Sequence, residues 1–320
     1  MLKLKKILVT GGAGFIGSHF VDLCLSQGIQ VVNFDALFEG SMLEHGPEKT
    51  HANYEFNQID LTQSFEVPDD IDAIVHFAAQ THVDRSITDT YSFVSSNILG
   101  TYNLLLKTVG KNIRFHLVST DEVYGDVIGI DKPCDEVSNI HSSSPYSASK
   151  AGSEQLVMAW GRTFGIDYTI TRGCNTIGER QNPEKLFPKF IYNAQNDIDL
   201  PVYGDGTAIR QYIHVSDHVA AIFKVLAEAE SCSVWNVCAD LSCSINEIVD
   251  FLRGHYPNLK TTDKENRPGH DLKYWIDNSK ITTQLGWKPL YLGQNILIQS
   301  LNEINQKTVY SAWNPTSTIN

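Results

Sequence analysis

The sequence predicts a doubly wound α/β fold, a parallel sheet covered by helices on both faces, followed by a smaller C-terminal α/β lobe. Three observations carry this reading: strand-length apolar runs alternate with helical stretches, the first run ends in a glycine-rich turn, and the alternation stops after residue 172. The strand runs are KKILVT (5–10), IQVVNFD (29–35), NYEFNQID (53–60), IDAIVHFAA (71–79), IRFHLVST (113–120) and IDYTITR (166–172). Helical stretches fall at about 14–28, 90–111 and 146–163. Largely apolar strands with intervening helices suit a parallel sheet buried on both faces. Beyond 172 the chain breaks into short segments punctuated by Gly and Pro, namely GERQNPEKLFP, LPVYGDGT and NRPGHD. The expected division is 1–174 plus about 211–240 for the first lobe, and 175–210 with 241–320 for the second. The last fifteen residues, QKTVYSAWNPTSTIN, lack periodicity and read as a loosely held tail.

Composition narrows the function classes. The chain has 320 residues, room for about two domains at roughly 150 residues each. It is 42% hydrophobic and 19% charged, which fits a globular protein and excludes disordered or low-complexity classes. Twenty-five Lys and Arg against 37 Asp and Glu give a net charge of −12, so neither nucleic acid nor an anionic membrane has global electrostatic support as a partner. An anionic substrate needs a local basic pocket. Six cysteines contain no Cys-x-x-Cys pair and no His at zinc-finger spacing, which argues against a metal site and for reduced thiols. With no cleavable apolar leader and no apolar run of membrane-spanning length, the expected location is the cytoplasm.

The turn after the first strand reads Gly11-Gly12-Ala13-Gly14-Phe15-Ile16-Gly17 and opens an amphipathic helix. Glycines there let a pyrophosphate approach backbone amides at a helix N-terminus, where the dipole favours negative charge. Asp35 ends the second strand, 18 residues after Gly17. A carboxylate in that place accepts from both ribose hydroxyls of NAD and repels a 2′-phosphate, so the sheet is of the Rossmann type and the expected cofactor is NAD rather than NADP. Asp60, at the end of the third strand, is either an adenine-edge acceptor or a capping group.

Tyr146 and Lys150 lie four apart in SPYSASKA, on one face of a helix. An ammonium beside a phenol lowers the cost of the phenolate and makes a base for a hydroxyl proton. Such a pair alone is an ordinary solvated helix face. It gains meaning from Thr120 at the end of the fifth strand and from the dinucleotide turn upstream.

These residues, Gly11-x-x-Gly14-x-x-Gly17, Thr120 and Tyr146-x-x-x-Lys150, resemble the extended short-chain dehydrogenase/reductase superfamily along nearly the whole chain. Within it, STDEVYGD (119–126) is similar to the nucleotide-sugar 4,6-dehydratases, those acting on dTDP-glucose above all. HFAAQTHVDRSI (76–87), SSPYSASKA (143–151), NPEKLFP (182–188), VYGDGTAIRQYIHVSDH (202–218) and RPGHDLKYWID (267–277) add to the resemblance. It implies Asp121 as the acid and Glu122 as the base of a water elimination across sugar C5 and C6. Two adjacent carboxyls in one pocket cannot both ionise cheaply, which separates the two roles.

The implied cycle is redox-neutral: C4 oxidation with Tyr146 as base and Thr120 and Lys150 in support, elimination, then return of the hydride to C6. The implied cofactor set adds Phe15, Ile16, Leu61, Ala78, Ala79, Tyr146 and Lys150 to the three glycines, Asp35 and Asp60. For a nucleotide-diphosphate hexose, dTDP-glucose or a relative, the resemblance implies Arg210, Asn175, Lys185 and Arg267, with His82 as a hydrogen-bonding pocket residue. It also implies a homodimer packed through the helices near 90–111 and 146–163, although Phe93, Leu104, Leu105, Leu156 and Val157 equally suit an ordinary core.

Three segments depart from the family pattern: Phe38 to Met42 after the ribose carboxylate, Thr176 to Glu179 after Asn175, and Cys238 to Ser242. All three are expected near the substrate and cofactor pockets. A 4-epimerase or decarboxylase of the superfamily would leave Asp121 and Glu122 without a task. A catalytically silent NAD-sensing module predicts damage to the Tyr-Lys pair, and the sequence shows none.

Overall fold

Residues 2–38, 40–266 and 268–306 are described by a computed structural model. Seven parallel strands form the main sheet: β1 Lys6–Thr10, β2 Gln30–Asp35, β3 Tyr54–Gln58, β4 Ala73–His76, β5 Arg114–Thr120, β6 Asp167–Gly173 and β10 Ser233–Val237. Their spatial order is β10-β6-β5-β4-β1-β2-β3. Between them run helices α1 Phe15–Ser26, α2 Val83–Thr88, α3 Thr90–Phe93, α4 Gly100–Leu106, α5 Pro145–Phe164 and α7 Val215–Glu228. All but the first residue of β1, β5 and β6 are buried, as a sheet covered on both faces requires. Strand order reverses between β1 and β4, and in such sheets ligands bind at the carboxyl ends beside that switch point.

The remaining elements build two smaller sheets. β7 Asn175–Ile177, β9 Ile209–His214 and β11 Leu241–Ser244 form one, with β9 central; β8 Leu200–Tyr203 and β12 Thr261–Lys264 pair as the other. Helices α6 Leu186–Gln195, α8 Ile245–Arg253, α9 Ser279–Leu285 and α10 Asn295–Gln306 complete this part of the molecule. Thus β9 belongs to the small sheet, whereas α7 and β10 pack with the large one. The tail from residue 307 onward lies outside the described residues.

Helix α5, which carries the Tyr-Lys pair, is bounded by strong local signals. Ser144 and Ser147 form a reciprocal capping box, Pro145 opens the helix, and Gly165 closes it in the left-handed region at φ 68°. The single helix expected over 90–111 is instead three pieces, α3, a π-helical stretch Val94–Leu99, and α4. In the π-helical stretch the backbone bonds widen by one residue, with Gly100 N donating to Ser95 O, and the Asn97 carbonyl accepts from Thr101 Oγ1 at 2.5 Å and Ser153 Oγ at 2.6 Å. Phe93, Leu104, Leu105 and Val157 are core residues, while Tyr91, Val94, Leu99, Tyr102 and Leu106 of the same helical run are exposed.

Candidate active site

The glycine-rich turn is built by close approach. Gly11 sits at φ 74°, and a Cβ there would stand 2.7 Å from the Ala78 backbone nitrogen. A Cβ on Gly17 would overlap the Gly11 carbonyl, so the start of α1 rests directly on the turn. Helix α1 has no side-chain cap and no acidic residue in its first turn, which leaves its N-terminal amides and dipole open to an anion.

Asp35 closes one end of this site. Its Oδ2 accepts from Ala13 N at 2.9 Å, and its Oδ1 accepts from Leu37 N at 2.9 Å and Ser41 Oγ at 3.2 Å. A carboxylate has about four acceptor positions, so one remains for a ribose hydroxyl. Asp60 Oδ1 caps its own turn, accepting from Thr62 N at 2.9 Å and Thr62 Oγ1 at 2.8 Å, while the residue also lines the cavity.

A cavity of about 370 Å³ runs from here across the carboxyl ends of the strands. Its walls include Gly11, Gly14, Phe15, Ile16, Gly17, Asp35, Asp60, Leu61, Ala78, Ala79, Thr120, Asp121, Glu122, Tyr146 and Lys150, the whole cofactor and catalytic set expected from sequence. Open amides at one helix end, a carboxylate at the second strand and apolar walls between them fit NAD. A larger cavity of about 1500 Å³ adjoins it, lined by Glu122, His82, Asn175, Lys185 and Arg210 among others. Arg267 lies outside the described residues.

At the junction, surroundings set the chemistry of each group. Asp121 is 2% exposed, its Oδ1 accepts from Thr120 Oγ1 at 3.3 Å, and its Oδ2 is buried without a hydrogen-bond partner among the described residues. Burial, aided by the neighbouring Glu122 charge, raises its carboxyl to about 8. The Tyr274 hydroxyl donates its one proton to Asp271 Oδ2 at 2.6 Å and stands 3.5 Å from Glu122 Oε2. Lys150 donates to the Val118 carbonyl at 2.8 Å, and burial lowers its ammonium to about 8 against the opposing pull of Glu154. The Tyr146 phenol departs from the sequence expectation: burial and the Glu122 charge push it well above the usual range, with only a Thr120 hydrogen bond pulling it down. Burial dominates, and the Lys150 ammonium is engaged on the Val118 carbonyl.

In the larger cavity Arg210 stacks on the Tyr274 ring at 4.3 Å and donates to the carbonyls of Ile209 at 2.9 Å and Asp271 at 2.7 Å. Lys185 Nζ donates to Thr81 O at 2.9 Å. His82 caps α2, accepting from Arg85 N at 3.4 Å, with Glu184 3.7 Å from its other ring nitrogen. Two of the departing segments do reach the cavities, through Phe38, Gly40 and Ser41 and through Thr176. The third does not: Cys238 is buried against Gln211 and the Ile276 carbonyl, and neither it nor Ser242 is among the lining residues described.

Residues that sequence reasoning did not single out also meet here. Tyr274 and Asp271 sit in the RPGHDLKYWID segment already marked by resemblance, so that segment was their signal. His218 bonds Thr176 Oγ1 through Nδ1 at 2.7 Å and leaves Nε2 buried without a partner among the described residues. Asn97 exchanges bonds with the Gln80 backbone at 2.8 and 3.1 Å and donates to Ser149 Oγ at 2.8 Å, tying the π-helical stretch to α5.

A Rossmann-type sheet with a Tyr-Lys helix facing a strand-end threonine defines an extended short-chain dehydrogenase/reductase. The chain belongs to the GDP-mannose 4,6 dehydratase family, whose model matches residues 8–299. It is 38% identical to dTDP-glucose 4,6-dehydratase of Neisseria meningitidis over 317 residues, covering 90% of this chain and 89% of the relative. It is 42% identical to the low-salt glycan biosynthesis protein Agl12 of Haloferax volcanii, covering 88% and 93%. Among solved structures, the dTDP-glucose 4,6-dehydratase DesIV of Streptomyces venezuelae, crystallised with NAD bound, superimposes with a TM-score of 0.88 at 35% identity over 97% of this chain and 99% of that one. A UDP-glucuronic acid 4-epimerase of Bacillus cereus also reaches 0.88, at 26% identity, covering 94% and 99%, so the fold does not separate the two reactions.

Proposed function

We propose that this protein is an NAD-dependent nucleotide-hexose 4,6-dehydratase acting on dTDP-glucose or a close relative, and yielding the 4-keto-6-deoxyhexose nucleotide. The observation that carries the reading is the pair Asp121 and Glu122, one carboxyl held protonated and both lining the cavity that Tyr146 and Lys150 also line. Residues up to 174 with about 215–240 hold the cofactor in this reading, and 175–214 with the chain from 241 onward hold the nucleotide sugar.

NAD, held by the glycine turn and Asp35, would supply the hydride acceptor for C4 and the hydride that C6 receives. Tyr146 takes the 4-hydroxyl proton, and Thr120 and Lys150 stabilise the charge that develops on the two oxygens. Glu122 then removes the C5 proton that the new 4-keto group has acidified, while Asp121 protonates the departing 6-hydroxyl. Water leaves, and Glu122 returns its proton to C5 as C6 is reduced. The proton gained by Tyr146 balances the one lost by Asp121, so the chain resets by exchange with solvent. Arg210 takes the diphosphate, for which its planar fork is suited. Asn175, Lys185, His82 and Arg267 complete the sugar-nucleotide site.

A homodimer through α3 to α5 accompanies this reading, supported by the exposed apolar residues of that run, Tyr91 at 79% the most open. A cytoplasmic setting is supported by six free cysteines, four of them buried. The reaction is tested by incubating purified protein with dTDP-glucose, UDP-glucose and UDP-N-acetylglucosamine separately and reading the mass of the product. Loss of one water identifies both the reaction and the nucleotide sugar. An unchanged mass with an isomeric product in every tube sinks the dehydratase reading.

A further inference from the structure

We infer that a buried chain of polar side chains, Glu154–Arg172–Tyr124, positions the elimination carboxyls of one element against the oxidation base of another. The inference rests on the dehydratase reading above and assigns Tyr124 and Arg172 as positioning residues.

Glu154 lies four and eight residues beyond Lys150 and Tyr146 on α5, hence on the same face of that helix. Its side chain is fully buried and meets the buried Arg172 of β6 in a forked pair: Nε stands 3.1 Å from both carboxylate oxygens, and Nη2 donates to Oε2 at 2.7 Å. The other arm of the guanidinium, Nη1, donates to the Tyr124 hydroxyl at 2.7 Å. That hydroxyl donates onward to Asn236 Oδ1 of β10 at 2.8 Å. The guanidinium carbon also stands 4.8 Å from the Tyr124 ring centroid.

Tyr124 ends the short 3-10 turn Asp121–Tyr124, whose first two residues are the acid and the base. The chain therefore runs from the helix that holds Tyr146 and Lys150, through the central sheet, to the turn that holds Asp121 and Glu122. A buried ion pair is weak evidence for stability, since apolar residues of the same volume often do as well. A planar, forked guanidinium fixes direction as well as distance. Oxidation at C4 and elimination across C5 and C6 act on one sugar ring in one site, so the two elements must keep a common register. A misplacement of about 1 Å can reduce rate roughly a hundredfold.

Replacing Glu154 or Arg172 strands a buried charge and risks misfolding, so the test uses Tyr124→Phe, which keeps the ring and removes the bridging hydroxyl. Thr169→Val is the control: it deletes another buried hydroxyl on β6, one bonded to His116 at 2.8 Å and away from the turn. The expected result for Tyr124→Phe is a ~10- to 100-fold fall in kcat with KM within about twofold. Reduced-nicotinamide absorbance should build up during its turnover, because oxidation still proceeds while elimination lags. Thr169→Val should match the wild type in all three readouts. An unchanged kcat for Tyr124→Phe, or a fall shared by Thr169→Val with no reduced-nicotinamide signal, overturns the positioning role.

Wild-type protein that releases no water from any nucleotide hexose refutes the function, not this role. Crystal structures of wild type and Tyr124→Phe judge the role without turnover. Displacement of Asp121 relative to Tyr146 supports it, and superposition of the two overturns it.

Discussion

Asp121 and Glu122, adjacent in the chain, meet opposite surroundings: Asp121 Oδ2 is buried with no hydrogen-bond partner among the described residues, whereas Glu122 Oε2 has the Tyr274 hydroxyl 3.5 Å away. An unpartnered buried carboxyl favours its neutral form. That asymmetry suits Asp121 to the proposed role of proton donor, and the role carries a pH signature. Asp121 must be protonated to act, so activity is expected to fall as pH rises through about 8, the range in which Lys150 also loses its ammonium. Asp121→Asn should slow elimination more than oxidation and let reduced cofactor accumulate with substrate. A variant as fast as wild type, with an unchanged alkaline limb, would place the acid elsewhere.

The same group makes a stability prediction whose sign is opposite to that of an ordinary surface carboxylate. Its folded value, about 8, lies above the 3.8 of an ordinary aspartate, so between these the native state binds the extra proton. Stability from this site is therefore present at low pH and is lost as pH rises through about 8. Asp121→Asn, which cannot ionise, should melt higher than wild type above that pH and show a smaller difference well below it. Melting curves across the pH range check this; a parallel shift at every pH contradicts it.

Much of this site was legible in the sequence, and the reasons are physical. The glycine turn, Asp35 and the Tyr146-Lys150 spacing depend on local geometry, a tight turn, a strand end and a helical period, which sequence spacing records directly. The boundaries of β1, β5 and β6 followed for the same reason, because a buried parallel strand is a largely continuous apolar run. What spacing could not record is environment. The expected activation of Tyr146 by Lys150 ignored burial, which the structure shows to dominate, and the π-helical stretch at Val94–Leu99 depends on Asn97 finding partners on α5 and on the loop after β4. Tyr274 reaches Glu122 from 152 residues away, a juxtaposition only the tertiary fold creates. Cys238 failed as a pocket residue because its strand end turns into the core beside Gln211.

Tyr146→Phe tests the oxidation base. The phenol is buried, so the ring will still pack and the cofactor will still bind, but no group takes the 4-hydroxyl proton. Turnover should fall by ~10²- to 10⁴-fold with cofactor affinity unchanged by titration. Wild-type rates would remove Tyr146 from the mechanism.

Asp35 holds the glycine turn as well as facing the ribose site, so its replacement should be felt twice. Asn keeps one acceptor oxygen and cannot serve Ala13 N on one side and Leu37 N with Ser41 Oγ on the other. Asp35→Asn should lower stability by ~1–3 kcal/mol without cofactor, the cost of leaving a buried donor unpaired. It should also weaken NAD binding by about tenfold and narrow the preference over NADP, because the repulsive charge has gone. Calorimetric titration with both dinucleotides decides it: unchanged discrimination would mean that Asp35 serves the turn alone.

The exposed apolar run on α3 to α4 makes the association prediction specific. Leu99 and Leu106 are 42% and 48% exposed, and Tyr102 stacks edge-on against Trp160 of α5 at 5.8 Å, so the two helices present one shared surface. Burying such a surface against a second copy is driven by apolar area, and a charge at its centre leaves an unpaired ion in the interface. Leu99→Glu should therefore shift the sedimentation coefficient from dimer to monomer at micromolar concentration while the far-ultraviolet spectrum stays native, since Leu99 is not part of the core. A wild-type protein that already sediments as a monomer would refute the interface outright, and a variant that remains dimeric would move it to another face.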